Sequence, residues 1–559
     1  MRGIKYLVLL ALILLNAPSA VTALQNKPRI AVLANSIDHD LAPDFFEFLK
    51  NKGMETIHVT AADFEQYKNE KFIVILGGPD AYEGVGEIVQ QLLSLEEQEY
   101  LRVEGNRMMY VKIDPWGLLS GQRVSIIAGS DRDQTKQAHV DNREKVYLNV
   151  KASEFEGSHF GFMHPEKALK EAMELNVHWA RPHPGPFIWS RIEPEKGMLD
   201  FKEADDEVKL LQDYDITMVA TIWPYVDWDQ GACHSRLEYS KVQDFRELGD
   251  YRQKPCDMEA YKNFVIGIVE RYDGDGVDDM PGLKYPVKYW EVINEPAMKE
   301  LVFFYGTPEE YFDVLRATYE AVKEADSEAR VLNGGIAGFD PEAEAFWQKV
   351  MDMGGASYID VMNHHSISGR EELQVPSMKS FLTRNKIEKP IWIPEVEFKA
   401  WGLGRDSLSP EEWSEVIVRA FVYAFGEGVD KLFYVGLDMS PGDPESWLLI
   451  PKGGFKSKEF LPEVIEYEKQ ATFYAFKTMV EKIDHFTSVE KIAEGRYRFI
   501  VDGKTVFVLW GDIGETMELG VSTTEVSITD ISGSQTTKKA EDGKVILVLS
   551  ESPIFVEEK

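Results

Sequence analysis

Tyr289-Trp290-Glu291-Val292-Ile293-Asn294-Glu295-Pro296 is a short apolar, strand-prone run that ends on a carboxylate and a proline. Pro390-Ile391-Trp392-Ile393-Pro394-Glu395 repeats the plan further along the chain. Outward from these two, similar runs recur: His159–Met163, Val177–Arg181, Thr217–Trp223, Val287–Glu295, Arg330–Gly334, Ile359–His365, Ile391–Glu395 and Lys431–Leu437. The segments between them carry apolar residues at helical spacing. Ala204, Val208 and Leu211 recur at i, i+4 and i+7, and Tyr261, Phe264, Val265, Ile268, Val269 and Tyr272 form a fuller stripe. These read as core. Eight strand–helix units over 151–484 predict a central (β/α)8 TIM barrel of the α/β class, with loop insertions.

The flanks read differently. Over 24–150, the runs Ile30–Asn35, Thr56–Val59, Phe72–Leu76, Met108–Val111 and Val124–Ala128 alternate with helical patterns such as Pro43–Lys52. Helix-separated apolar strands predict a small α/β accessory domain built on a parallel sheet. Gly77-Gly78-Pro79 ends one strand, but neither G-x-G-x-x-G nor a Walker Gly-Lys-Ser/Thr is present, so fold analogy is all that would support a nucleotide site. Over 485–559, Tyr497–Val501, Thr505–Trp510, Glu525–Thr529, Val545–Leu549 and Ile554–Val556 are punctuated by Gly503, Gly514, Gly533 and Gly543, which predicts a small β-sandwich. Met1–Ala23 has a basic start at Arg2 and Lys5, an apolar stretch Tyr6–Leu15 and an A-x-A-like end at Val21-Thr22-Ala23. That is a secretory signal; the competing reading, an uncleaved anchor, needs an apolar run of about 20 residues. The expected location is secreted or at the cell surface.

Composition narrows the partners. The 559 residues are 44% hydrophobic and 12% aromatic, which excludes a disordered chain. A formal net charge of −34 makes nucleic acid a poor partner and favours neutral or cationic ligands. Cys233 and Cys256 are a disulfide candidate in an oxidising compartment, the alternative being two buried thiols. No Cys/His set has zinc-ligand spacing. Asp273, Asp275 and Asp279 stand at calcium-loop spacing, but the helix-flanked twelve-residue frame and its closing Glu are missing. A solvated turn is the competing reading, and no other cofactor is expected.

A barrel of this kind displays its reactive groups at the C-terminal ends of its strands. Those ends supply Arg181, Trp223, Asn294-Glu295, His365 and Glu395, with two carboxylates arriving from opposite sides of one mouth. Cleaving a glycosidic bond needs a proton donor for the leaving oxygen and a negative group facing an oxocarbenium-like centre. Arg181 is expected to hold Glu395 ionised, and burial beside another carboxylate to keep Glu295 protonated. Aromatic rings near the mouth suit sugars, making Trp223 and Trp228 candidates for stacking or for core.

Trp290-Glu291-Val292-Ile293-Asn294-Glu295-Pro296 with Pro390-Ile391-Trp392-Ile393-Pro394-Glu395 resembles clan A of the retaining glycoside hydrolases. Arg181…Gly185-Pro186-Phe187-Ile188-Trp189-Ser190-Arg191-Ile192-Glu193-Pro194-Glu195-Lys196-Gly197 is similar to the loop after the second strand in that clan's xylosidase- and cellulase-like members. The resemblance implies Glu295 as acid/base, Glu395 as nucleophile, Asn294 on the sugar 2-hydroxyl, Arg181 orienting the nucleophile, and His365 as the sixth-strand His, with His364 packed. Pro394, Glu397, Ile367 and Val435 depart from the family pattern. Trp447 either replaces the missing eighth-strand Trp platform or is buried under its loop. Trp116…Gly121-Gln122-Arg123-Val124…Ala128-Gly129-Ser130-Asp131-Arg132…Thr135…Ala138 resembles an accessory domain of archaeal cell-surface proteins, implying cell-envelope association. The implied activity is hydrolysis of β-linked neutral sugars in an oligo- or polysaccharide. The alternative is a cell-surface carbohydrate-binding or structural protein with a degenerate barrel.

Overall fold

The computed structural model describes residues 28–113, 115–116, 122–275, 277–367, 371–398, 408–438, 444–452 and 466–559. The expected signal, Met1–Ala23, lies outside the described residues, as do Gly121 and Gly276. No helix among the described residues is long and apolar enough to cross a membrane. The chain divides into two compact units, Met1–Val150 and Lys151–Lys559.

The first unit holds β1 (Arg29–Ala34), β2 (Glu55–Val59), β3 (Phe72–Leu76), β4 (Arg107–Ile113) and β5 (Arg123–Gly129), in the order β2-β1-β3-β5-β4. Alternation sends Ile30, Val32 and Val74 to one apolar face and Ala31, Leu33, Ile73 and Ile75 to the other. The sequence predicts a parallel sheet, but β4 runs antiparallel to β5. Only the short 114–122 segment joins them, whereas a parallel crossover takes about a dozen residues or more.

In the second unit, β6 (Phe160–Met163), β7 (Trp179–Arg181), β8 (Thr217–Ile222), β9 (Tyr289–Val292), β10 (Arg330–Asn333), β11 (Met362–Ser366), β12 (Ile391–Val396) and β13 (Val429–Tyr434) form an eight-stranded sheet. Neighbours are parallel; β13 pairs with β6, and the bridges Leu332↔Val361 and Ile336↔His364 close β10 on β11. This is the expected TIM barrel. Inside it, Trp179, Val219, Leu332, Val361, Trp392 and Phe433 form a buried floor, with Trp179 and Trp392 edge to face at 5.4 Å. Gly161 makes room for this floor, since a Cβ there would lie 2.4 Å from Phe433. Two residues further along several of these strands, the inward positions turn polar.

After a β14–β15 hairpin (Leu449–Pro451 and Tyr467–Lys469), the C-terminal region has β16 (Phe486–Ala493), β17 (Arg496–Val501), β18 (Lys504–Leu509), β19 (Thr516–Gly520), β20 (Glu525–Asp530), β21 (Gln535–Lys539), β22 (Lys544–Val548) and β23 (Ile554–Glu558). A six-stranded sheet, β16-β17-β18-β23-β20-β21, and the β19-β22 pair enclose Leu509, Leu519, Val526, Leu547 and Val556. The other face of the larger sheet joins the barrel's core through Tyr497, Phe499, Val508 and Phe555.

Candidate active site

Arg181, on the last residue of β7, is fully buried and anchors the polar layer. Its Nε and Nη2 donate to the two oxygens of Glu291 at 2.9 and 3.0 Å. Nη2 also donates to Asn294 Oδ1 at 2.6 Å, and Nη1 to Glu395 Oε2 at 3.1 Å. Glu291 is itself wholly buried and accepts from Thr221 Oγ1 and Asn363 Nδ2, each at 2.6 Å. Burial alone would raise its carboxyl, but Arg181 and His365 outweigh that and hold it well below the usual carboxylate range.

His365 lies between the two expected catalytic carboxylates. Its Nδ1 donates to Glu295 Oε1 at 2.7 Å and sits 3.3 Å from Glu395 Oε2, while Nε2 is 3.6 Å from Glu291 Oε1. Burial opposes its charge, yet the Glu395 carboxylate, with Glu291 and Glu295 beside it, raises its pKa to about 9. At neutral pH it is therefore an imidazolium with carboxylates on both sides. Ligand atoms of Glu295, His365 and Glu395 all lie within 4.8 Å of one another, close enough to hold a cation. The charged imidazole fills that electrostatic role itself.

A strained turn presents Glu295. Ile293 and Glu295 both have positive φ, 62° and 40°, unusual for a β-branched and a long side chain. The strain is held by its surroundings. Ile293 N donates to Ile222 O, and the Tyr311 hydroxyl donates to Val292 O while accepting from Gly334 N. Gly334 packs so closely that a Cβ would be 2.8 Å from Ile293 O and from Pro296 Cδ. At Gly335, a Cβ would meet the His365 ring at 2.2 Å. This glycine pair therefore sets both the Glu295 turn and the His365 ring.

The structure thus brings together Arg181, Asn294, Glu295, His365 and Glu395. His364 is packed as expected, with its ring nitrogens 2.8 and 3.0 Å from the carbonyls of Ile336 and Leu373. Trp223 and Trp447 do not serve as open stacking faces. Trp223 is fully buried, its Nε1 donating to Pro184 O at 2.7 Å and its ring packed on His183 and Phe303. Trp447 is 5% exposed, its carbonyl held by Gln470 and Thr472. Glu397, one of the departures from the family pattern, is 4% exposed directly after β12.

The electrostatic expectation for Glu395 is also corrected. Its carboxyl is raised, first by burial, with Glu295 and Glu397 adding to the rise and His365 and Arg181 opposing it. Burial outweighs the pull of Arg181, whose guanidinium also gives two hydrogen bonds to Glu291. Glu291, Gly334 and Gly335 were missed in the sequence. A charged residue in the middle of the apolar run Tyr289–Ile293 was the available signal for Glu291, since a buried charge requires a partner.

Cys233 and Cys256 form a disulfide with Cα atoms 5.9 Å apart. In the acidic turn, Asp273 Oδ1 accepts from Asp275 N, Asp275 Oδ1 from Val277 N, and Asp279 Oδ1 from Gly274 N. Carboxylate oxygens of Glu270, Asp273 and Asp275 lie within 4.8 Å of one another, and burial pushes Asp273 up to about 7. The carboxylates brace the turn's own backbone.

No protein-family model matches the chain, and no curated protein sequence matches it. Among solved structures, it is similar to a family 39 glycoside hydrolase from the gut symbiont Bacteroides cellulosilyticus, at 15% identity over 72% of this chain and 82% of that one, with a TM-score of 0.51. A glucosidase from Croceicoccus marinus matches at 13% identity over 72% and 95%, with a TM-score of 0.49. The first likeness establishes the fold.

Proposed function

We propose that the chain is a secreted, retaining β-glycosidase acting on β-linked neutral sugars of an oligo- or polysaccharide. The observation that carries this reading is the meeting of Glu295 and Glu395, one oxygen of each within 4.8 Å, around His365 and Arg181. Carboxyl groups about 5–5.5 Å apart suit direct attack and retention, whereas inversion leaves about 6.5–9.5 Å for a water. Glu295 gives its proton to the leaving oxygen while Glu395 attacks the anomeric carbon. Glu295 then takes a proton from water, whose oxygen displaces Glu395. Among the described residues Asn294 Nδ2 has no hydrogen-bond partner, leaving it to donate to the 2-hydroxyl. The negative charge supports a substrate other than nucleic acid. The N-terminal unit's resemblance supports envelope association.

The test uses an activated aryl β-glycoside with azide. Glu395→Ala should lose several orders of magnitude in turnover and yield a glycosyl azide of inverted configuration; Glu295→Ala should slow poor leaving groups most and give the retained azide. Near-normal turnover in Glu395→Ala refutes the assignment. No hydrolysis across β-glucan, mannan, xylan and aryl glycosides, with measurable glycan binding, favours a surface carbohydrate-binding protein instead.

A further inference from the structure

In the sheet of the N-terminal unit the chain reverses its direction of travel between β1 and β3, which are parallel neighbours. In the order β2-β1-β3-β5-β4, it leaves β1 outward to β2 and leaves β3 the opposite way, towards β5 and β4. The two departures also take opposite faces. The helix Pro43–Asn51 packs Phe45 and Leu49 with Ile30, Val32 and Val74, whereas Val85–Leu92 packs Val85 and Val89 with Ala31, Leu33, Ile73 and Ile75. The loops after these strands therefore part, and in open α/β sheets ligands bind in the crevice so formed outside the carboxyl ends. Here the crevice is a cavity of about 340 Å³, lined by Asp38 after β1, Gly78 and Tyr82 after β3, and Gly129 and Arg132 at the end of β5.

An unmatched buried group in the wall points independently to a ligand. Asp38 is 6% exposed, yet among the described residues only one of its oxygens has a hydrogen-bond partner, Oδ2 accepting from Asn35 Nδ2 at 2.7 Å. A buried acceptor left without a donor is costly. Burial raises this carboxyl while Asn35 and Arg132 oppose the rise, so Arg132 stands within electrostatic reach of it. Arg132 is exposed and, among the described residues, has no ion-pair partner. The other two carboxylates of the wall are already engaged. Asp80 accepts from Arg102 at 2.9 and 3.1 Å, and Asp131 Oδ1 accepts from Gln134 N at 2.8 Å at the start of the helix Arg132–Glu156. What stays open is one carboxylate oxygen and one guanidinium, a balanced pair.

We propose that this cavity binds a neutral sugar unit of a glycan, with one hydroxyl donating to Asp38 and a neighbouring oxygen accepting from Arg132. The charge balance disfavours the alternatives. A phosphate or carboxylate would be repelled by Asp38 and would find the helix N-terminus already taken by Asp131. A metal ion would meet a single open carboxylate beside a guanidinium. A sugar carries donors and acceptors on adjacent carbons, and the volume falls in the range of small-molecule sites, about 300–1,000 Å³. Tyr82, 66% exposed in the wall, offers a ring on which the apolar face of a sugar can lie. The inference goes beyond hydrolysis at Glu295 and Glu395: it assigns the N-terminal unit a glycan contact of its own and gives the envelope association a chemistry.

A glycan array probed with the full chain tests this. The chain carries Glu395→Gln, so that the array is not hydrolysed, and is compared with the same chain bearing Asp38→Asn or Arg132→Ala in addition. The probes are neutral oligosaccharides ending in glucose, galactose or mannose, and acidic ones ending in glucuronate. At least one neutral class should bind, and its apparent affinity should fall tenfold or more with either substitution. Arg132→Ala changes an exposed side chain, so it carries the test if Asp38→Asn does not fold. Binding of no neutral glycan overturns the site, and so does binding that both substitutions leave unchanged, because that signal belongs to the barrel. A preference for the glucuronate set that Arg132→Ala abolishes overturns it in favour of an anion site. Asp38-dependent binding by a chain that, with Glu395 intact, cleaves no glycoside keeps the site and removes the glycosidase. Cleavage of aryl β-glycosides without such binding keeps the glycosidase and removes the site.

Discussion

Replacing His365 by asparagine removes a cation that touches both candidate catalytic carboxylates, and the structure sets the sign of the effect. The imidazole, with a pKa of about 9, is charged throughout the acidic and neutral range. Its Nδ1 is 3.3 Å from Glu395 Oε2. At an effective dielectric of about 20, unit charges at that separation attract by roughly 5 kcal/mol. If desolvation and relaxation cancel three quarters of this, about 1.3 kcal/mol remains, close to one pKa unit. Burial already raises the Glu395 carboxyl, and losing a neighbouring cation raises it further. The ionised nucleophile is then present only at higher pH. The acidic limb of kcat/KM on an aryl β-glycoside should move up by one unit or more, with a tenfold or greater loss of rate below that limb. Profiles for wild type and His365→Asn between pH 3 and 9 provide the comparison. A limb that stays in place or moves to lower pH refutes the charge assignment, whatever happens to the maximal rate.

Three other outcomes follow from the packing. Gly335→Ala places a methyl 2.2 Å from the His365 ring, so it should cost about 100-fold or more in kcat; Gly267→Ala, where nothing lies within 4 Å, serves as the control, and equal rates would remove the positioning role. Glu291→Gln leaves Arg181 buried with a counter-ion missing and should destabilise by about 3 kcal/mol or more, read as a fall of several degrees in Tm; an unchanged Tm contradicts it. Cys233→Ser should lower stability by about 3 kcal/mol, the scale expected for closing a loop with a sequence separation of 23. Intact mass before and after reduction should differ by two hydrogens, and an unchanged mass excludes the bridge.

The barrel was legible because each strand combines an apolar run with an end that carries chemistry, and parallel neighbours follow from the helices between them. Strand direction in the first sheet was less accessible. The run Met108–Val111 within β4 reads as apolar as the parallel strands of that sheet, and the short connection to β5 is what marks its antiparallel direction. β21 went unread because all five of its residues are exposed, which leaves no apolar alternation to detect, and β16 is largely exposed too. In the site, Glu295 and Glu395 could be read from strand position. Gly335 could not, because its constraint comes from a ring thirty residues later in the chain. Sequence named Arg181 as a cation near Glu395, but did not show that Glu291 takes two of its hydrogen bonds.

Those two hydrogen bonds also shape the charge balance of the polar layer. Arg181 and His365 bring two positive charges into the polar layer, against the three carboxylates that surround His365: Glu291, Glu295 and Glu395. Above the aromatic floor water is largely excluded, so an unbalanced charge is costly and the layer favours two negatives for its two positives. Glu291 is held well below the usual carboxylate range and supplies one of the negatives. Glu395, by contrast, is raised by burial and by the neighbouring Glu295 and Glu397, against the pull of His365 and Arg181. Glu295 and Glu395 bring one oxygen each to within 4.8 Å, the proximity that acid-assisted attack on a glycoside needs. On this account Glu291 acts without touching substrate, by occupying two of the Arg181 donors that would otherwise be free for Glu395.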